Sequence, residues 1–407
     1  MSDIHCMPLV AAESAGKLQG TPSVLGWGKT AATERLIAFA KFRFAILIAT
    51  QNGPTIYDVH RKIHGLLNLD ILYASTQRQD WTESCTVWAL RSINHIKAPV
   101  ENYKLFLATA GFIEEELPLN AEYTDTLRTL FNTVCQPVHF RTEPSEAVQR
   151  INQFVENHTS GTIRDTLTSS DINADTAFIL ISSVYFEAEW DCRFFEEHTV
   201  KKPFNLADGS QVMVDTMHAM TRCRYYESKE LGGARFLQLW YGEELSSACF
   251  ILPGKNARSA TWTPGSAMSD LQRALTPALL NKALDSLQPI SYGTIQLPKF
   301  RIEHSIDMES TLQKLGMRSA FSRSADFSGI SSRSLRIDKI KQKVYIDVNE
   351  RGTVASATTL VRLKNCSLPP QTRVEFAADR PFMFLLRHEK TGTVLFIGHV
   401  MDPSAES

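Results

Sequence analysis

Phe178-Ile179-Leu180-Ile181-Ser182-Ser183-Val184-Tyr185-Phe186 is an apolar run dominated by β-branched and aromatic residues, without polar–apolar alternation. Such a run reads as a β-strand buried on both faces. It marks a change of texture along the chain. Residues 30–170 read mostly as helices. One helix is expected to begin near Pro144, because Glu146-Ala147-Val148-Gln149-Arg150-Ile151-Asn152-Gln153-Phe154-Val155 places Val148, Ile151 and Val155 on one face. After Ala177, strand candidates follow at residues 236–240, 248–252, 294–297, 344–348, 382–387 and 394–400. Short helical patterns lie between some of them, at 268–275 and 308–315. Helices first and sheets afterwards, with no internal repeat and no Pro/Gly-rich linker, predict an α+β architecture without an internal boundary.

Composition narrows the function classes. The chain has 407 residues, 43% hydrophobic and 21% charged, the profile of a folded domain and not of a disordered one. With 43 Lys+Arg against 44 Asp+Glu the formal charge is −1, which implies no nucleic-acid or anionic-membrane partner. Seven scattered cysteines (Cys6, Cys85, Cys135, Cys192, Cys223, Cys249, Cys366) have neither C-x-x-C nor metal-ligand spacing and read as free thiols of a reducing compartment. The opening MSDIHCMPLVAAESAG lacks the basic region and apolar core of a signal peptide. Residues 36–49 are apolar but short, and contain Lys41 and Arg43, so no membrane span is expected. The expected location is cytoplasmic, with unconventional secretion or surface exposure left open.

A series of segments, in order, resembles one family, the serpins. Ile151-Asn152-Gln153-Phe154-Val155 with Thr159 and Gly161 is similar to a serpin helix and turn. Val184-Tyr185-Phe186 with Trp190, Phe195, Thr199 and Phe204 resembles the central strand and its exit. Leu252-Pro253, Leu297-Pro298-Lys299-Phe300, Leu315-Gly316-Met317 and Ala325-Asp326-Phe327-Ser328-Gly329 are further landmarks. Val348-Asn349-Glu350-Arg351-Gly352-Thr353 resembles the hinge before a serpin reactive loop. Arg380-Pro381-Phe382-Met383-Phe384 and Phe396-Ile397-Gly398-His399-Val400 with Pro403 resemble the closing strands. The resemblance covers residues 45–403 and leaves 1–44 as an atypical N-terminal segment and 404–407 as a tail. It implies the serpin fold: three β-sheets, eight to nine helices and an exposed reactive loop near 352–372. Besides Val354, which stands where an acidic residue is common in the family, three landmarks depart from the family pattern. Ala38-Phe39-Ala40-Lys41-Phe42 stands at its serine-rich turn, Ser182 at an Asn, and Gln342 at a His. Together with Trp190, Ser182 and Gln342 occupy what the resemblance implies is the sheet-opening region.

The implied activity is suicide-substrate inhibition of a serine protease. The protease attacks the loop and forms an acyl-enzyme; the cut loop then inserts as a new strand and traps the enzyme. The hinge, Glu350 with Gly352-Thr353-Val354-Ala355-Ser356-Ala357-Thr358-Thr359, suits insertion. An internal strand excludes proline and packs alternate residues on opposite faces. From Gly352 to Val361 there is neither proline nor charge. Thr353, Ala355, Ala357 and Thr359 make one small face; Val354, Ser356, Thr358 and Leu360 make the other. The family register places the reactive bond at Cys366–Ser367, which suits a chymotrypsin- or elastase-like protease. Arg362 and Lys364 are alternatives that would suit a trypsin-like pocket.

Other chemistries find little support. There is no G-x-S-x-G elbow, Walker loop or H-E-x-x-H, so the chain is not expected to be an enzyme, and no cofactor or metal is implied. His60 and His64 read as surface histidines, Glu114-Glu115-Glu116 as a solvated acidic run, and Arg333, Arg336, Lys339, Lys341 and Lys343 as a solvated strand edge. The expected state is a monomer for which polymerisation is a hazard. The alternative function is a non-inhibitory serpin acting as carrier or chaperone, and the hinge composition favours inhibition.

Overall fold

The computed structural model describes residues 103–131, 134–192, 194–255, 263–314, 318–353, 374–389 and 393–405. The residue 38–42 segment, His60, His64 and Leu315-Gly316-Met317 lie outside them. The described strands form two sheets.

The first sheet has the order β2-β1-β3-β11-β10-β9. Its members are β1 (Tyr103–Glu114), β2 (Val134–Val138), β3 (Phe178–Glu189), β9 (Phe300–Asp307), β10 (Lys339–Asn349) and the two-residue β11 (Gly352–Thr353). The second has the order β12-β8-β5-β6-β7-β13-β14, with β4 paired to β5. These are β4 (Val200–Asn205), β5 (Gln211–Ser228), β6 (Ala234–Tyr241), β7 (Ser246–Leu252), β8 (Gln288–Pro298), β12 (Val374–Ala377), β13 (Phe382–His388) and β14 (Thr393–Val400). Strand β5 makes one network where the sequence leads one to expect two sheets. Its start pairs with β4 and its end with β6, while β8 runs beside it through a register shift between Thr221 and Cys223. Such an irregularity bends a strand, so its halves belong to differently oriented parts of the sheet.

Five α-helices are described: α1 (Ala121–Phe131), α2 (Pro144–His158), α3 (Pro264–Ala274), α4 (Pro277–Asp285) and α5 (Glu309–Lys314). Pro144 opens α2, as the sequence leads one to expect, since a first-turn proline loses no helical bond. Ile151 and Val155 are fully buried and Val148 packs beside them, against Phe112, Ile179, Ile181 and Tyr185 on one face of the first sheet. The other face of β3 and β10 packs Phe186, Val344, Ile346 and Val348 against Leu237, Phe250, Phe382 and Phe384 of the second sheet. The apolar run of β3 is thus covered on both sides.

One sequence expectation fails. Residues 103–114 and 134–138 are strands inside a stretch read as helical. Segment 103–114 (Tyr-Lys-Leu-Phe-Leu-Ala-Thr-Ala-Gly-Phe-Ile-Glu) has mixed propensity, and antiparallel pairing with β3 from Tyr103↔Ala188 to Ile113↔Phe178 decides its state.

The packing of α2 gives a direct test. Ile151→Ala should cost about 2–5 kcal/mol through lost burial and the cavity left behind. The midpoint of urea unfolding measures it, and an unchanged midpoint would show that α2 does not rest on this face.

Candidate functional site: the seam between β3 and β10

The two central strands of the first sheet run parallel and pair directly from Ile179↔Lys339 to Tyr185↔Tyr345. Above that point a wedge separates them. The chain leaves β10, turns at Glu350-Arg351 and returns antiparallel as β11. Gly352 then lies between Glu189 and Asn349, and Thr353 between Ala188 and Val348. The wedge needs a glycine: Gly352 has φ +142°, and a Cβ there would lie 2.1 Å from the Ala188 carbonyl oxygen.

The turn is tied to the chain that leaves β3. Asn349 Oδ1 accepts from the Arg351 N–H (3.0 Å). The Trp190 indole donates to the Asn349 carbonyl (3.0 Å), and its backbone N–H donates to the Arg351 carbonyl (3.1 Å). Phe194 N–H donates to the Glu350 carbonyl (3.3 Å). Trp190 is buried, stacked on Tyr241 with ring centroids 4.0 Å apart and packed edge-on to Phe194.

The Glu350 side chain is buried at the same turn. It accepts from the Thr199 hydroxyl (2.7 Å) and pairs with Lys299 Nζ (3.0 Å). Burial pushes the carboxyl pKa up, but the Thr199 hydroxyl and the Lys299 ammonium outweigh it and hold the group below the ordinary carboxylate value. Thr199 and Lys299 stand in the segments that first suggested the family, yet nothing local in the sequence couples either to Glu350.

Midway down the seam, Ser182 and Gln342 are register partners, and both are buried. Among the described residues, Ser182 Oγ, Ser183 Oγ and Gln342 Oε1 have no protein hydrogen-bond partner. A buried polar atom without a partner costs about 1–3 kcal/mol. The middle of the seam is therefore held by its backbone ladder and packing, with no side-chain latch from this pair.

Two sequence readings are corrected. Lys339, Lys341 and Lys343 are not on a solvated edge: β10 lies between β9 and the β3/β11 strands, and its three lysines point to one face. Lys339 and Lys341 pair with Asp171 and Asp307, and Lys343 pairs with Glu303. Arg336 pairs with Asp338, while Arg333 is exposed. The acidic run is likewise only partly solvated. Glu114 is buried and accepts from the Arg141 N–H (3.2 Å), and Glu115 and Glu116 face His139 and Arg141.

The structure brings Trp190, Glu350 and Gly352 together at the top of the seam and places Ser182 with Gln342 below them. Thr353 is placed by its backbone. Val354, Ala355, Ser356, Ala357, Thr358 and Thr359 lie outside the described residues, as do Arg362, Lys364, Cys366 and Ser367. Among the described residues no cluster of three or more His, Cys, Asp or Glu could hold a metal, and no helix is long and apolar enough to cross a membrane. Burial pushes the Cys135 thiol up to about 12 and the Cys223 thiol up to about 11, which keeps both protonated at neutral pH.

The family model for Serpin (serine protease inhibitor) matches residues 59–403. Serpin B10 of Homo sapiens is 32% identical over 315 residues, covering 76% of each chain. Serpin B12 of Homo sapiens is 32% identical over 320 residues, covering 77% of this chain and 76% of that one. Among solved structures, thyroxine-binding globulin in complex with thyroxine superposes with a TM-score of 0.80 at 24% identity, covering 98% of this chain and 100% of that one.

The Glu350 clamp predicts a pH signature. A carboxyl whose folded pKa is depressed contributes fully above its ordinary value of about 4.3 and loses that contribution as pH falls through the lower folded value. Glu350→Gln should therefore cost about 1–3 kcal/mol at pH 7. The gap between parent and variant should close as pH drops below about 4. Paired thermal melts across pH test this, and a pH-independent gap would contradict the clamp.

Proposed function

The chain belongs to the serpin family, and from that premise we propose that it is a suicide-substrate inhibitor of serine proteases, trapping the acyl-enzyme by drawing its cleaved loop into the β3/β10 seam. The observation that carries this reading is β11: two hinge residues are already strand-paired on both sides. A strand that continues in the same register descends between β3 and β10 one residue at a time. Ala355 then comes beside Phe186 and Ile346, and Ala357 beside Val184 and Val344. That face meets the core shared with the second sheet, where Phe186, Val344 and Ile346 are packed, and small residues are what a filled core admits. Thr359 comes between Ser182 and Gln342, where its hydroxyl can partner oxygens that have none.

Length agrees as well. The uncharged run ends at Val361, which in this register reaches Leu180 and Ile340. Arg362 comes level with Ile179 and Lys339, the last direct pair of the seam. Glu350, Gly352 and Thr353 are thus the fixed root of the inserting strand, and Val354 through Thr359 its body. Trp190, Ser182 and Gln342 line its path.

The proposed reactive bond is Cys366–Ser367, with Arg362 and Lys364 as alternatives, and the proposed partner is a chymotrypsin- or elastase-like protease ahead of a trypsin-like one. Free thiols at Cys135, Cys192, Cys223 and Cys249 suit the proposed cytoplasmic location. The likeness to thyroxine-binding globulin concerns the fold and does not argue for a carrier.

Incubation with chymotrypsin, neutrophil-type elastase and trypsin, followed by denaturing electrophoresis, tests the proposal. The expected result is a denaturant-resistant band at the summed mass of inhibitor and protease, with a released peptide beginning at Ser367. Cleavage without that band would leave the carrier reading. Ala357→Arg, which sets a charge against the core face, should convert the chain into a substrate cut at the same bond.

A further inference from the structure

The connection from α2 to β3, residues 159–177, lies over the face of the first sheet. It is anchored to α2 where Asn152 and Leu167 exchange two hydrogen bonds (2.9 and 2.8 Å). Ile163, Leu167 and Ile172 are buried in the core that α2 shares with the sheet. Its far end runs covalently into β3. Between these anchors Asp171 reaches β10. Its Oδ1 pairs with Lys339 Nζ (2.5 Å) and its Oδ2 with Lys341 Nζ (3.0 Å). Asp307 of β9 backs both lysines at 3.8 and 3.6 Å. The three paired side chains are largely shielded, at 8% exposure for Asp171, 20% for Lys339 and 14% for Lys341.

This arrangement crosses the seam. The connection belongs to β3 through the chain and to β10 through the ion pairs. An added strand would move β3 and β10 apart by one inter-strand spacing, roughly 4.8 Å. Ion pairs of 2.5 and 3.0 Å do not survive that separation unless the connection peels away from α2.

We propose that Asp171, gripping Lys339 and Lys341 of β10, is an ionic strap across the seam that sets how fast a strand can enter it. The inference rests on the reading of the seam as a strand acceptor. In this role Asp171 is a positioning residue that acts through the connection. It is also suited to substitution: besides its ion pairs its Oδ2 accepts the Thr168 N–H (2.8 Å) and the Thr168 hydroxyl (3.0 Å), which an asparagine carbonyl can still do.

The test uses the intact full chain and a labelled synthetic peptide spanning residues 352–363, with the rate of peptide annealing as readout. Asp171→Asn should anneal roughly tenfold faster, the effect of losing charge-assisted bonds in a shielded site. In the parent chain, raising NaCl from about 0.05 to about 0.5 M should accelerate annealing modestly, because salt reaches the shielded pairs only through the half-exposed Asp307 that backs the lysines. In Asp171→Asn that salt dependence should largely vanish, a change that a merely structural role would not produce. Lys341→Met repeats the experiment from the other side and decides it if Asp171→Asn does not fold. If the parent anneals, and both variants match its rate and its salt dependence, the strap is overturned while the acceptor reading stands. If the peptide enters neither parent nor variants, both readings fall.

Discussion

The fold is organised around a constraint on one pair of strands. β3 and β10 are central, parallel and covered on both faces, so every backbone donor and acceptor along them needs a partner from a neighbouring strand. Over most of their length each supplies the other. At the top they part, and Gly352-Thr353 fills the gap with antiparallel bonds to both. The seam thus has two ways to satisfy its backbone groups: direct pairing, or an interposed strand that adds a second ladder. The second gains hydrogen bonds and buried surface, and it requires the sheet to widen.

Three side-chain features bias that choice differently. The Glu350–Lys299 pair with the Thr199 hydroxyl fixes the turn that leads from β10 into Gly352. Ser182 and Gln342 leave the middle of the seam without a side-chain latch, which weakens the closed arrangement locally. Asp171 with its two lysines holds the lower seam to the connection above it. Under the proposed mechanism, a sheet rooted at one end, unlatched in the middle and strapped below would open from the top downward. That is the direction in which a strand beginning at Gly352 must travel.

Much of this was legible in the sequence, for identifiable reasons. Strand β3 was readable because burial on both faces removes alternation, and the face of α2 because Ile151 and Val155 sit one turn apart. Strand β1 was not, because pairing with β3 outweighs its ambiguous propensity. The joining of two expected sheets was hidden because residues 211–228 yielded no strand candidate, and the pairing of β5 with β8 joins segments distant in the chain. The lysines of β10 looked solvated because their partners, Asp171, Glu303 and Asp307, are distant in the chain. Glu350 stood out as a hinge residue, but its contacts with Thr199 and Lys299 exist only once three separate segments have met.

The central claim is that the seam accepts the cleaved loop as a strand, and thermal unfolding before and after cleavage tests it most directly. A metalloprotease, which forms no acyl-enzyme, would cut within residues 354–373 without being trapped. About ten added residues paired on both edges should contribute on the order of 10 kcal/mol. The melting temperature should then rise by roughly 10 °C or more. An unchanged or lowered melting temperature after clean cleavage would contradict insertion, and with it the inhibitory mechanism.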